Sequence, residues 1–292
     1  SEAESLAFAA AEGAPDNSDV HDTMTETLLR DRPSVGADVM NSISDPLRYV
    51  QSSVVGGLKL TSRLGLNIEA IQRNQRTTDT DQLAWVPAHD RELNLTLRDS
   101  TIDRDLSLTV GHRNAVNSFY TGNIHGDFNR TGPLTTSFTL GVNQFTDLSP
   151  DMQVGATKDT FQLGLQWNPE SRWFVQGSAE ANRFHAQDRT YMGHGFDLGA
   201  SIGYRFRTTY PDWNVRLVGA RGIYSSSDNV ISSLGVLLPD GTVPSAFQFM
   251  PQNFTQYGMM VGLGNDDKNA YSRGWRPFVD VGYVHDSNQG WG

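Results

Sequence analysis

The sequence predicts an all-β protein, an antiparallel transmembrane β-barrel preceded by a short N-terminal helix. Two patterns carry that prediction. From residue 34 onward, apolar side chains fall at every second position over stretches of eight or more residues, many times over. The positions between them are Gly, Ser, Thr, Asn, Gln and charged residues, as a water-filled interior requires. The stretches run about twice the ~5–6 residues of a soluble strand, which suits a tilted membrane crossing of ~9–11 residues with an extension beyond the lipid.

Composition narrows the field. The chain has 292 residues, 33 acidic and 23 basic side chains, a net charge of −10, and no cysteine. Without cysteine there is no disulfide framework, thiolate metal site, Fe–S cluster or thiol catalysis. The acidic balance argues against nucleic acid as a partner. No run approaches the ~18 apolar residues of a membrane helix, which excludes a helical membrane protein but not a barrel.

Residues 1–13 (SEAESLAFAAAEG) read as the last turns of an Ala-rich helix closed by Gly13, and 14–21 as an acidic linker. Residues 23–30 suit one more short helix, stopped at Pro33. The expected division is therefore a helical remnant and linker over 1–33 and a barrel over 34–292. Leu64, Leu66 and Ile68, then Leu93, Leu95 and Leu97, then Leu106, Leu108 and Val110 show the alternation. It continues through Phe161–Trp167, Phe196–Phe206 and Tyr257–Leu263, and closes near Tyr283. About thirteen strand candidates result. An even number is expected of a single-chain barrel, so roughly three further strands beyond this sequence would bring it to about sixteen.

The connections are of two kinds. Short ones fall at 61–63, 99–101, 131–133, 168–171 and 209–212; longer ones fall at 77–82, 148–155 and 225–252. Short periplasmic turns and long outer loops are the barrel pattern, which would put the N-terminal helix in the periplasm. Phe128, Trp167, Trp173, Tyr204, Phe206, Trp213 and Trp275 sit beside short turns, whereas Trp85, Tyr120, Tyr191, Tyr224, Tyr257 and Tyr283 sit toward the long loops. Two such belts are expected at the two membrane–water interfaces.

The alternation turns Asp38, Glu69, Glu92, Asp105, Asp127, Glu180, Asp197 and Asp280 inward. Asp79, Asp81, Asp147, Asp151, Asp188, Asp228 and Asp240 form an acidic rim on the long loops. Carboxylates along a wet path favour a polycation, and weak repeated sites let a polymer slide; equally, inward acids can pair with inward arginines and hold the wall together. Arg63, Arg98, Arg205, Arg207, Arg216 and Arg276 form a basic rim at the short-turn end, suited to an acidic partner ring or to lipid phosphates. That rim would not help a cation enter. Loop 225–252 is too long for a hairpin and carries Leu234, Leu237, Leu238, Phe247 and Phe249. Such a loop is costly to leave in water, so it is expected to fold inward as a gate, the alternative being a surface loop packed on its neighbours.

A helical tail leading through a linker into one barrel resembles the outer-membrane exporters of bacterial exopolysaccharides. RDRPSVGADVMNS (residues 30–42) and RYVQSSVVGGLKLTSRLGLNIEA (residues 48–70) resemble the C-terminal porins of the PelB family most. The resemblance implies a sixteen-stranded porin behind a periplasmic tetratricopeptide scaffold. It also implies a cationic, partly deacetylated amino-sugar polymer as the exopolysaccharide substrate of biofilm matrix, and a periplasmic lipoprotein ring (PelC-like) as partner.

Catalysis is weighed on the histidines. His125 and Asp127 share a face, and His185, Asp188, His194 and Asp197 flank one loop end. No nucleophile elbow, His-Glu-x-x-His or P-loop accompanies them, and no cofactor site is expected. The alternatives to an export pore are a general or sugar-specific diffusion porin and, less favoured, a barrel enzyme.

Overall fold

The computed structural model describes residues 9–10, 12–13, 33–170, 172–208, 211–264 and 277–292. Residues 9–10 and 12–13 are helical; the expected helix at 23–30, Trp275 and Arg276 lie outside the described residues. The rest is one antiparallel sheet of 14 strands in sequence order. They are β1 Ser34–Ser44, β2 Leu47–Lys59, β3 Leu64–Thr77, β4 His89–Ser100, β5 Arg104–Asn114, β6 Ser118–Phe128 and β7 Leu134–Gln144. They continue as β8 Ala156–Trp167, β9 Trp173–Ala186, β10 Tyr191–Arg207, β11 Trp213–Ser226, β12 Phe254–Leu263, β13 Val279–Asp286 and β14 Gly290–Trp291. The strand beyond the expected thirteen is β14, two residues long.

Cross-strand partners share a face, so the register sorts every side chain. Ile68, Leu95, Val110, Ile124, Leu140, Leu163, Leu198, Leu217, Met259 and Val281 all stand exposed on one face. The other face carries the polar set, and it is the concave one. Leu47 and Tyr49 of β2 join a single buried cluster with Phe184 of β9 and Tyr224 of β11, which requires the sheet to curl around that side. A convex apolar face of this extent would be untenable in water; it is the lipid-facing wall of a barrel.

Aromatic rings edge that wall. At the short-turn end Trp173 packs on Tyr204 (5.0 Å), Tyr204 on Phe206 (5.2 Å) and Phe206 on Trp213 (4.5 Å). Toward the other end Tyr257 and Tyr283 gather around Trp291 (5.7 and 4.9 Å), and Tyr120 meets His112 at 5.1 Å. Tyr224 departs from the expected belt: it occupies an inward register position and is buried. The two loop lengths do not alternate strictly either. Both β5–β6 (115–117) and β9–β10 (187–190) turn tightly at the long-loop end, and the β4–β5 turn lies at 101–103, two residues later than expected.

The sheet's wall is thin, so the buried core lies elsewhere, across the concave side at the long-loop end. Three short elements make it: α1 Pro150–Gly155, a 3₁₀ helix Ser232–Leu237, and α2 Ala246–Phe249. Leu83, Met152, Val154, Met192, Ile231, Leu234, Leu237 and Ala246 are fully buried there.

Candidate pore and plug

The plug is built upward from its ties to the wall. Ser149 caps α1 by accepting from the Met152 N–H (3.2 Å), and its hydroxyl donates to the Phe249 carbonyl (3.4 Å). Gln187 donates through its side chain to the Val154 carbonyl (2.7 Å), and its backbone N–H donates to Gly155 (3.2 Å). The Ala84 N–H donates to the Leu237 carbonyl (2.8 Å), joining the β3–β4 loop to the 3₁₀ helix. Gly155 lets the two elements approach closely: a Cβ there would stand 2.8 Å from methyls of both Leu234 and Leu237, which would have to shift. Of the five apolar residues expected in the gate, Leu234, Leu237, Leu238 and Phe249 are buried in this core. Phe247 is not. It is 78% exposed, because the single turn of α2 sends Ala246 and Phe249 into the core and leaves Phe247 facing away.

Beneath the plug lies a buried charged network whose members alternation alone does not pair. Arg113 donates to both oxygens of Asp90 (2.7 Å at the shortest) and to the Gln153 carbonyl of α1 (3.1 Å). Arg73 donates to Glu92 (3.1 Å), Asp90 (3.4 Å) and Gln51 (2.8 Å). The Phe145 ring lies 4.5 Å from the Arg73 guanidinium and 5.0 Å from that of Arg113. Two cations thus meet two carboxylates with their remaining donors largely engaged, which is what makes such burial tolerable.

All eight expected path acids occupy inward register positions, and most are paired. Glu92 bonds Arg73; Asp105 bonds Arg98 (2.5 Å) and Arg130 (3.4 Å); Glu180 bonds Lys158 (2.5 Å); Asp280 bonds Arg216. Asp197 accepts from Tyr224 and Asn182, and Asp127 sits 3.3 Å from His125. Asp38 faces Ser53, and Glu69 lies between Val55 and Asn94; among the described residues neither has an ion-pair partner. The free acid of the path is therefore concentrated at Asp38 and Glu69, on the β1–β3 side.

The basic rim is tempered in the same way. Arg63 (2.9 Å) and Arg104 (2.6 Å) both bond Asp99, and Arg205 lies 4.7 Å over the Phe174 ring. Arg207 also has a partner. At the opposite end the loops carry all seven rim aspartates. Hydrogen bonds from the Gln82 side chain and the Asp81 N–H hold the Asp79 carboxyl below its ordinary range. For Asp188 burial acts upward, but hydrogen bonds led by the Thr190 N–H outweigh it and lower the pKa. Asp151 differs: it turns into the plug, one oxygen is buried without a partner, and burial pushes its pKa up.

The histidine group does not converge. His194 is exposed on the convex face, Asp197 faces inward, and His185 is buried 3.7 Å from Asp159. Among the described residues no group of three His, Asp or Glu is placed to hold a metal ion.

Fold and site together define a transmembrane β-barrel whose long loops pack with the strand ends into one apolar core. Residues 29–292 match the family model for the PelB C-terminal β-barrel domain, and the chain belongs to that family. Among solved structures it is similar to a bacterial polysaccharide outer membrane secretin, at 9% identity with a TM-score of 0.57, over 89% of this chain and 80% of the other. That likeness is one of fold. No curated protein matches the sequence.

Proposed function

We propose that this barrel is the outer-membrane pore through which an exopolysaccharide leaves the cell, closed at rest by the segment between β11 and β12. The observation that carries the reading is the plug: a buried apolar core crossing a polar, concave sheet face at one end. Membership of the PelB barrel family and the fold of a polysaccharide secretin support a polymer as cargo.

In this reading the long-loop end faces outward, the N-terminus lies in the periplasm, and residues 1–33 connect the barrel to an upstream tetratricopeptide scaffold. The polymer is cationic and partly deacetylated. Its ammonium groups meet Asp127 near the short-turn end and then Asp38 and Glu69, and because each contact is single and wet the chain slides instead of sticking. The ion-paired acids hold the wall, and the aspartates of the mouth draw the emerging cation outward. The short-turn rim, with Arg98, Arg205, Arg207, Arg216 and Arg276, docks a lipoprotein ring of PelC type. No step of this transport needs a reaction, and the barrel works without catalysis.

The test is single-channel current through the full-length protein in planar bilayers. Resting conductance is low, rises when residues 230–247 are replaced by a short Gly-Ser linker, and is then blocked by cationic amino-sugar oligomers but not by their acetylated, neutral forms. High resting conductance without such preference would make this a diffusion porin and end the export reading.

A further inference from the structure

We propose that the convex face of β8–β11, near the long-loop end, holds a phosphorylated glycolipid of the outer leaflet, with its phosphate on Arg183 and an acyl chain in the groove below. Two rows of cross-strand partners make the site. The upper row runs Asp159, Arg183, His194, Ser225, and the lower row runs Phe161, Ala181, Phe196, Ile223. Direct partners share a face, so a polar head row lies immediately above an apolar one. In the lower row Ala181 stands between two phenylalanines, and its missing bulk leaves a groove of ≈ 800 Å³ walled by Phe161, Phe196 and Ile223. That size is within the ~300–1,000 Å³ of ordinary ligand sites.

The charges in the head row fit an anion. Asp159, its one carboxylate, is already held bidentately by Arg189 (both contacts 2.8 Å) and accepts from the Asn143 N–H (2.9 Å). Arg183 is exposed, and among the described residues no carboxylate lies within ion-pair distance of it; its guanidinium rests 5.5 Å from the Tyr191 ring. The Tyr191 hydroxyl in turn meets His194 Nδ1 at 3.0 Å. A cation with a free planar fork, beside hydroxyl and imidazole groups and over an apolar groove, matches a phosphate on a sugar headgroup with a chain beneath it. Arg221 of β11 is likewise exposed on this face.

The test uses the full-length protein in detergent, offered diphosphoryl lipid A, dephosphorylated lipid A, phosphatidylglycerol or inorganic phosphate, with retained lipid quantified by mass spectrometry after gel filtration. Diphosphoryl lipid A is retained, and Arg183→Ala lowers retention about tenfold, the loss expected for one charge-assisted contact. Ala181→Phe, which narrows the groove without changing charge, lowers it as well. Equal retention by all three proteins, or equal retention of the dephosphorylated lipid, overturns the site. Displacement of the lipid by inorganic phosphate alone would make it a simple anion site and also overturn it. Preference for phosphatidylglycerol would overturn the glycolipid assignment and place this end toward the periplasm. Because Arg183 faces away from the lumen, conductance is unchanged in Arg183→Ala, so failure here leaves the pore reading standing.

Discussion

At the short-turn end the outward-facing charges stay wet: Arg63 and Arg104 share Asp99 in an exposed cluster beside stacked rings on a bare wall, and only the inward Asp105 is buried. At the long-loop end Arg113, 1% exposed, shares Asp90 with Arg73 under a roof of buried leucines. The same strands run through both ends, so the difference comes from what the loops do. Short turns leave the rim to solvent and lipid headgroups, whereas the long loops return to the interior and create a core that the wall cannot. The molecule's only large buried core among the described residues therefore sits at the long-loop end.

The contrast is broken most severely by Arg113→Ala. Removing one member of a buried ionic network strands the others, at a cost of about 3–5 kcal/mol. Most of that loss should appear as a lower thermal transition and as excess open-channel current, since Arg113 also holds α1 through Gln153. Leu237→Ala comes next, at about 3 kcal/mol for a leucine truncated in a closed core. Its effect is local: frequent spontaneous openings, with the barrel's heat-modifiable migration on gels unchanged. Asp151→Asn is smaller and of opposite sign. Burial raises the Asp151 pKa, so the folded state holds that proton more tightly than the unfolded chain does. Docking of α1 is thus weakest above the raised pKa and strengthens as pH falls through it toward the ordinary 3.8. Opening frequency in the wild type should fall as pH is lowered, and the asparagine variant should lose that dependence while opening less at neutral pH. Arg63→Ala at the exposed end should leave the thermal transition where it is.

The wall was legible in the sequence because a period of two states which side chains share a face without saying which strands are neighbours. For the same reason the inward positions of Asp38, Glu69 and Asp280 could be read, but the partners could not. Pairing Arg73 with Glu92, or Arg113 with Asp90, depends on register, which alternation leaves undetermined by any even slip. Phe145 between the two guanidiniums lies in a loop and carried no signal at all. The apolar excess of the β11–β12 connection did announce a buried segment, yet a four-residue helix is too short for periodicity to tell Phe249 from Phe247. Tyr224 falls outside the expected belt because closeness to a loop does not make a side chain face lipid. Its even position along β11, shared with Asn214 and Arg216, points it inward.

The plug leaves the wall between Ser226 and Phe254, and these ends belong to strands that pair without interruption from Gly222↔Phe254 to Trp213↔Leu263. Its one internal bridge, Val230↔Ser245, travels with it. Its other ties run to loops and strand ends, through Ala84, Ser149, Tyr191 and Met192, and none of them belongs to the β11–β12 ladder. In the export pore proposed above, opening would therefore ask the sheet for no change of register, only for the apolar seat beneath this segment to be wetted and dried again.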